Sequence, residues 1–168
     1  MRFSKDFENI YLEYSDKIYR YVYLNTNDPY LAEDITSEVF LRIWKNWNRI
    51  KQDFMQALLY KTAKNIIIDN YRKHKNGKKV SLENIVEMGL EPSYDEDLIE
   101  KIHNNDNIEK INKALKLLPD NLKEVLILRF INDLSAKEAA QILDTTEVNI
   151  RVLQFRALKK LKEVIKNE

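Results

Sequence analysis

Arg151, Arg156, Lys159 and Lys160 crowd the second half of AAQILDTTEVNIRVLQFRALKKL, the stretch from Ala139 to Leu161. Cations at this density neutralise phosphate. Arginine also presents a planar fork that pairs with the edge of guanine, and asparagine, here Asn149, can do the same with adenine. The apolar residues of the stretch come in two helical sets, Ala140 with Leu143, then Ile150 with Leu153, Ala157 and Leu161. Only Asp144-Thr145-Thr146 separates them, which is helix-turn-helix spacing. Ala140 is small where the two helices must cross, and Ile150 pins the second to the first. Asp144 stands where such turns usually carry glycine, and aspartate accepts the left-handed backbone better than most residues. At about 100° per residue the second helix turns Ile150, Leu153, Ala157 and Leu161 inward. Asn149, Arg151, Val152, Phe155, Arg156 and Lys159 then face outward, a set suited to a DNA major groove. An ordinary amphipathic helix with a solvated basic face would show much the same pattern. Phe155 favours a binding surface, because an aromatic ring inside a cationic face calls for a partner.

A second cationic face lies in LLYKTAKNIIIDNYRKHK, Leu58 to Lys75. Here Leu59, Ala63, Ile66 and Ile67 form the apolar side, and Lys61, Lys64, Asn65, Arg72 and Lys75 gather on another, with Tyr60 and Tyr71 at its border. Cations interleaved with aromatics suit single-stranded DNA, whose phosphates need charge and whose bases need a stacking surface. Each tyrosine taken singly also reads as a core residue. In YLAEDITSEVFLRIWKNW the apolar arc is wide: Leu31, Ile35, Val39, Phe40, Ile43, Trp44 and Trp47. Opposite runs a narrow stripe of Asp34, Glu38, Leu41 and Lys45. By itself Leu41 is a surface leucine of a common kind.

The elements that position these faces are helical, since apolar residues recur mostly at spacings of three and four. A first helix is expected from about Lys5 to Leu24. Asp28 before Pro29 starts a second, because aspartate caps orphan N–H groups and proline suits a first turn; it reaches about Trp47. Asp53 is expected to cap a third that runs to Lys75. Residues 76–104 form an acidic linker with Gly77, Gly89 and Pro92, and a short helix near Tyr94 to His103. In residues 105–168, IEKINKALKLLP makes one helix stopped before Pro119, and Asp120 begins another through Phe130. Ser135 with Glu138 forms a capping box, and the last helix runs from about Thr146 to Ile165. The expected fold is all-α: a three-helix domain over 1–75 and a helix-turn-helix domain over 105–168, joined by the linker.

The chain has 168 residues, of which 33% are charged, with net charge +1, two glycines and no cysteine. Disulfides and thiolate metal sites are excluded. No apolar run approaches the roughly 20 residues of a membrane span, and the N-terminus lacks the apolar core of a signal peptide. A soluble cytoplasmic protein without membrane insertion is expected. The small net charge hides a segregated one. Tyr71 to Lys79 is strongly basic, Val80 to Glu100 has seven acids and no Lys or Arg, and Arg151 to Lys166 is basic again. Such patches hold phosphate locally whatever the sum. An enzyme finds little support: there is no phosphate-cradling glycine loop, His74 and His103 lie in basic and linker contexts, and Glu33-Asp34 and Asp95-Glu96-Asp97 read as surface charge.

In their order, these segments resemble the sigma-70 family of RNA polymerase initiation factors, in its small extracytoplasmic-function (ECF) type. AEDITSEVFLRIWKN is similar to the family's region 2 helix that binds the clamp coiled coil of the polymerase largest subunit, which implies that role for Asp34, Glu38 and Leu41. LYKTAKNIIIDNYRKHK resembles the segment that opens and reads the −10 element. The resemblance assigns Lys61, Lys64, Asn65, Arg72 and Lys75 to it, and the loop Asn48 to Gln52 to a base extruded from the duplex. ALKLLPDNLKEVLILRFINDLSAKEAAQILDTTEVNIRVLQFRALKKL resembles region 4, which reads the −35 element and touches the flap of the second-largest subunit. That implies DNA contact by Asn149, Arg151, Val152, Phe155, Arg156 and Lys159. Asp144 departs from the usual turn glycine, and Val152-Leu153 from a frequent Ser-Arg pair, so sequence preference at the −35 element is the property in question. The implied function is to direct core polymerase to promoters without catalysis, metal or cofactor. The implied partners are core RNA polymerase, promoter DNA and an anti-sigma factor, a partner common in this type. A stand-alone helix-turn-helix regulator is the competing class; it leaves the basic helix of the first domain unused.

Overall fold

The computed structural model describes the backbone of residues 2–76 and 106–166, and the side chains of residues 5–74 and 110–166. The acidic linker and the short helix expected near Tyr94 to His103 lie outside the described residues. All seven α-helices named here belong to the described residues: α1 (Arg2–Thr26), α2 (Pro29–Lys45), α3 (Met55–Asn76), α4 (Asp106–Leu115), α5 (Asp120–Leu126), α6 (Ala136–Ile142) and α7 (Glu147–Lys166). The described residues fall into two compact units, and the division cuts α3 after Lys61. One unit holds α1, α2 and the second half of α3; the other holds the first half of α3 and α4 to α7.

In the first unit a two-residue link folds α1 back along α2. Asn27 ends α1 in the left-handed conformation, at φ 56°, and its N–H donates 2.7 Å to the Tyr23 carbonyl. Asparagine does here what glycine often does at a helix end. Asp28 then caps α2 as its sequence position indicates: its Oδ1 accepts from the N–H groups of Tyr30 (3.0 Å) and Leu31 (3.2 Å). Such a cap stabilises a helix by about 1 kcal/mol. The core between the helices is Ile18, Tyr21, Val22 and Leu24 of α1 with Ala32, Ile35, Val39 and Ile43 of α2. Phe7 extends it with edge-on ring contacts to Trp44 (4.8 Å) and Trp47 (5.5 Å).

Two details differ from expectation. Helix α2 ends at Lys45, and Trp47 sits in a following 3₁₀ turn, Trp47–Arg49. Asp53 does not cap α3. It lies inside a second 3₁₀ turn, Gln52–Phe54, whose exit at Met55 is already helical. The tight turn feeds the backbone directly into α3, so no side-chain cap is required at that point.

The C-terminal helices close around Leu115, Val125, Ile127, Leu128, Leu134, Ile142 and Ile150, all at most 2% exposed. Ser135 and Glu138 form the expected capping box: Glu138 N–H donates 3.0 Å to Ser135 Oγ, and Ser135 N–H donates 3.2 Å to Glu138 Oε1. Helix α5 does not continue regularly through Phe130. From Ile127 to Ile131 it widens into a π-turn. Asn132 N–H reaches back to the Ile127 carbonyl (2.9 Å), and Leu134 N–H to that of Leu128 (3.0 Å).

Lys123 on α5 is buried. Burial pushes its ammonium below the ordinary lysine value; Asp120 opposes this, Lys116 adds to it and Glu124 opposes it more weakly. A cation whose pKa falls on folding costs stability below that lowered pKa, and the cost is relieved as pH rises through it toward the unfolded value. Lys123→Met should therefore raise the thermal midpoint near neutral pH, where the buried ammonium is charged. The gain should shrink above the lowered pKa. Melting curves of both proteins across the alkaline range measure it, and a lower midpoint for the variant at pH 7 would show that the ammonium is net stabilising.

Candidate functional site

Three faces carry the candidate residues. The first is the outer side of α7. The turn before it is fixed by Asp144, at φ 51°, with Thr145 N–H donating 3.0 Å to the Ala140 carbonyl. This six-residue closure is the usual hydrogen bond of a left-handed helix end, with aspartate in the glycine position. Thr146 Oγ1 caps α7 by accepting from Asn149 N–H at 3.1 Å, and Asn149 Nδ2 donates 2.8 Å to Thr145 Oγ1. Asn149 therefore braces the turn while remaining exposed.

Beyond the turn, Ile150 and Ala157 are fully buried, and Leu153 and Leu161 half-buried. Arg151, Val152, Phe155, Arg156 and Lys159 are exposed together on the opposite side. Phe155 is 71% exposed, which for a phenyl ring is a large uncovered apolar area. Val148, 69% exposed, continues this line one turn earlier. It is absent from the set expected on sequence grounds, although its helical spacing from Val152 is a signal that points to it. Arg151 Nη2 donates 2.7 Å to Glu147 Oε1, both side chains largely exposed. A surface pair at this spacing is worth only about 0.3–0.5 kcal/mol, so Arg151 can exchange it for phosphate or base at small cost.

The second face is on α3. Its buried row is Met55, Leu59, Tyr60, Ala63 and Ile66, and Ile67 is half-buried. From Ile68 onward nothing is buried through His74. Lys61 and Lys64 are half-buried, Asn65 and Arg72 exposed, and the side chain of Lys75 lies outside the described residues. The two tyrosines separate: Tyr60 is fully buried and belongs to the core, while Tyr71 is 67% exposed beside Arg72.

The third face is on α2. Asp34, Glu38, Leu41 and Lys45 are all exposed, in one stripe opposite the core. Glu38 Oε1 accepts 2.6 Å from Arg42 Nη2. Trp44 departs from its expected place inside the apolar arc and is 43% exposed. The buried row is centred on Ala32, Ile35, Thr36, Val39 and Ile43, and this leaves Trp44 just past its edge. Trp44, Leu41, Ser37 and Phe40 of α2, with Phe7 and Tyr11 of α1, line an open groove of about 460 Å³. Leu41 is thus part of an apolar patch that a single-helix projection cannot display, because Phe7 and Tyr11 come from another helix.

Among the described residues no helix is long and apolar enough to cross a membrane. The sequence matches the family models for Sigma-70 region 2 over residues 10–77 and Sigma-70, region 4 over residues 114–163. It is 30% identical over 155 residues to the ECF RNA polymerase sigma factor SigM of Bacillus subtilis, covering 92% of each chain. With the ECF RNA polymerase sigma factor BldN of Streptomyces coelicolor it shares 28% identity over 166 residues, covering 96% of this chain and 61% of BldN. Among solved structures, the sigma factor RpoE of Bartonella quintana, in complex with the anti-sigma factor NepR, superposes with a TM-score of 0.72 at 20% identity, over 96% of this chain and 98% of that one. At that identity the likeness is one of fold.

Proposed function

Because this chain belongs to the ECF RNA polymerase sigma factors, directing core polymerase to promoters, we propose how its three exposed faces divide that work. Residues 1–75 bind core polymerase and the −10 element, residues 76–104 link, and residues 105–168 read the −35 element. Asp34, Glu38 and Leu41, with the groove beside Leu41, meet the clamp coiled coil of the largest subunit. Lys61, Lys64, Asn65, Arg72 and Lys75 run along the opened −10 strand, and Tyr71 offers a base a stacking surface. Asn149, Arg151, Val152, Phe155, Arg156 and Lys159 face the −35 major groove, and the C-terminal unit also touches the polymerase flap. The protein does no chemistry of its own and works in the cytoplasm, where polymerase and promoter are. An anti-sigma factor, the partner of the RpoE structure, is a further partner of this chain.

The observation that carries the reading is the exposed row Arg151, Val152, Phe155 on a helix held clear by the left-handed Asp144 turn. Val152 has no hydrogen-bonding group, so it selects for a thymine methyl, as Phe155 does. Arg151→Ala should cost about 1–3 kcal/mol if Arg151 reads a base, and should relax preference at one −35 position. A uniform loss over all −35 substitutions would assign it to phosphate, and no change at all would mean that α7 is not the reader. Gel shifts on promoter DNA with and without core polymerase test the whole reading. A sigma factor should give a specific shift only with core; a specific shift by the chain alone would favour the stand-alone regulator.

A further inference from the structure

The reading face of α7 owes its aim to a residue that does not lie on it. Arg129 stands in the π-turn at the end of α5. Its Nε donates 2.9 Å to Gln154 Oε1 on α7, and its Nη1 donates 2.6 Å to the Leu134 carbonyl in the loop entering α6. One guanidinium therefore ties together the end of α5, the entry of α6 and the middle of α7. Arg129 and Gln154 are both half-buried, so these bonds are partly shielded from water and hold better than surface pairs.

Packing against α4, α5 and α6 places α7, and the bonds of Arg129 add a directional constraint on its rotation. Its fully buried contacts are Ile150 and Ala157, and Leu153 between them is only half-buried. Turning α7 by about 10° would carry a side-chain tip on its rim roughly 1 Å sideways, about twice the roughly 0.5 Å that a recognition geometry tolerates. Gln154 falls between Val152 and Phe155 in sequence but on the inner flank of the helix. A bond to its amide fixes the angle at which those neighbours are presented. The planar fork of arginine suits this task, because its donors keep fixed directions to two acceptors, whereas a lysine ammonium is a point donor.

We infer that Arg129 is a positioning residue: through Gln154 and the Leu134 carbonyl it sets the rotation of α7, and with it the base preference at the −35 element. The inference rests on the reading of α7 as the −35 reader. Arg129 does this from within the π-turn, which Asn132 N–H closes on the Ile127 carbonyl and Leu134 N–H on that of Leu128.

The test uses reconstituted holoenzyme, a panel of single-base −35 substitutions and a matching −10 panel, with thermal midpoints of each variant. Arg129→Lys and Gln154→Leu should each lower discrimination among −35 bases by about three- to tenfold, with dependence on −10 bases unchanged. The double variant should be no worse than the poorer single one, because both remove the same link. Gln154→Glu keeps an acceptor for Arg129 Nε and should restore wild-type discrimination. This arm holds even if Arg129 variants fold badly, since Gln154→Leu and Gln154→Glu both leave Arg129 in place and only the first removes its acceptor. Unchanged −35 discrimination in Gln154→Leu, or equal loss in Gln154→Leu and Gln154→Glu, overturns the inference. Wild-type holoenzyme with no −35 preference overturns the reading beneath it as well, an outcome separate from the other two.

Discussion

Leu41→Asp should weaken binding of the chain to core RNA polymerase by at least about thirtyfold, the 2 kcal/mol or more expected of a residue central to an interface. Leu41 is 51% exposed in the free chain, on the side of α2 opposite Ile35, Val39 and Ile43. The substitution therefore leaves the α1–α2 core untouched, and the helix should keep its content and melting midpoint. In the complex it would place a carboxylate against the apolar groove of Phe7, Tyr11, Phe40 and Trp44, where a charge without a partner is costly. Affinity measured by competition for core polymerase, with circular dichroism as the folding control, reads this directly. Full affinity with intact fold would remove Leu41 and its groove from the polymerase interface.

The second large effect concerns promoter opening. Replacing Arg72 and Lys75 by alanine should reduce open-complex formation and make its salt dependence shallower. Every single-strand phosphate that a side chain no longer neutralises lowers the slope of log affinity against log salt by about 0.7, so two phosphates should lower it by about 1.4. Arg72 lies beyond Ile67 on α3, in the turns that bury nothing, so its removal costs little stability. Permanganate footprinting across a salt series measures opening and slope together. An unchanged slope would mean that these cations are merely solvated.

Where the sequence is readable, the determinant is local. Asp28-Pro29 and Ser135 with Glu138 announce helix starts because each cap bonds within three residues of itself. Asp144 is legible as a left-handed turn because it stands between two helical periods too close for any gentler connection. The departures are tertiary. Tyr60 and Tyr71 share a helix face and a residue type, yet one is in the core and the other 67% exposed; the periodicity of α3 continues past the point where its buried row ends. Trp44 fits an apolar arc in projection, but the packed row runs through Ala32 and Thr36 instead, and a small residue and a threonine carry little hydrophobic signal. The π-turn is invisible in sequence because it is a change of backbone register, closed by Asn132 N–H on the Ile127 carbonyl, that no residue type in Ile127 to Ile131 marks. The groove beside Leu41 is hidden because it is shared between α1 and α2.

Promoter-directed initiation by this chain is measured by run-off transcription with purified core polymerase and a pool of genomic promoters. Promoter-directed initiation requires that core alone initiates without specificity, that adding the chain produces discrete start sites, and that these sites share paired −10 and −35 elements. Transcripts unchanged by the chain, together with specific duplex binding by the chain alone, would contradict it.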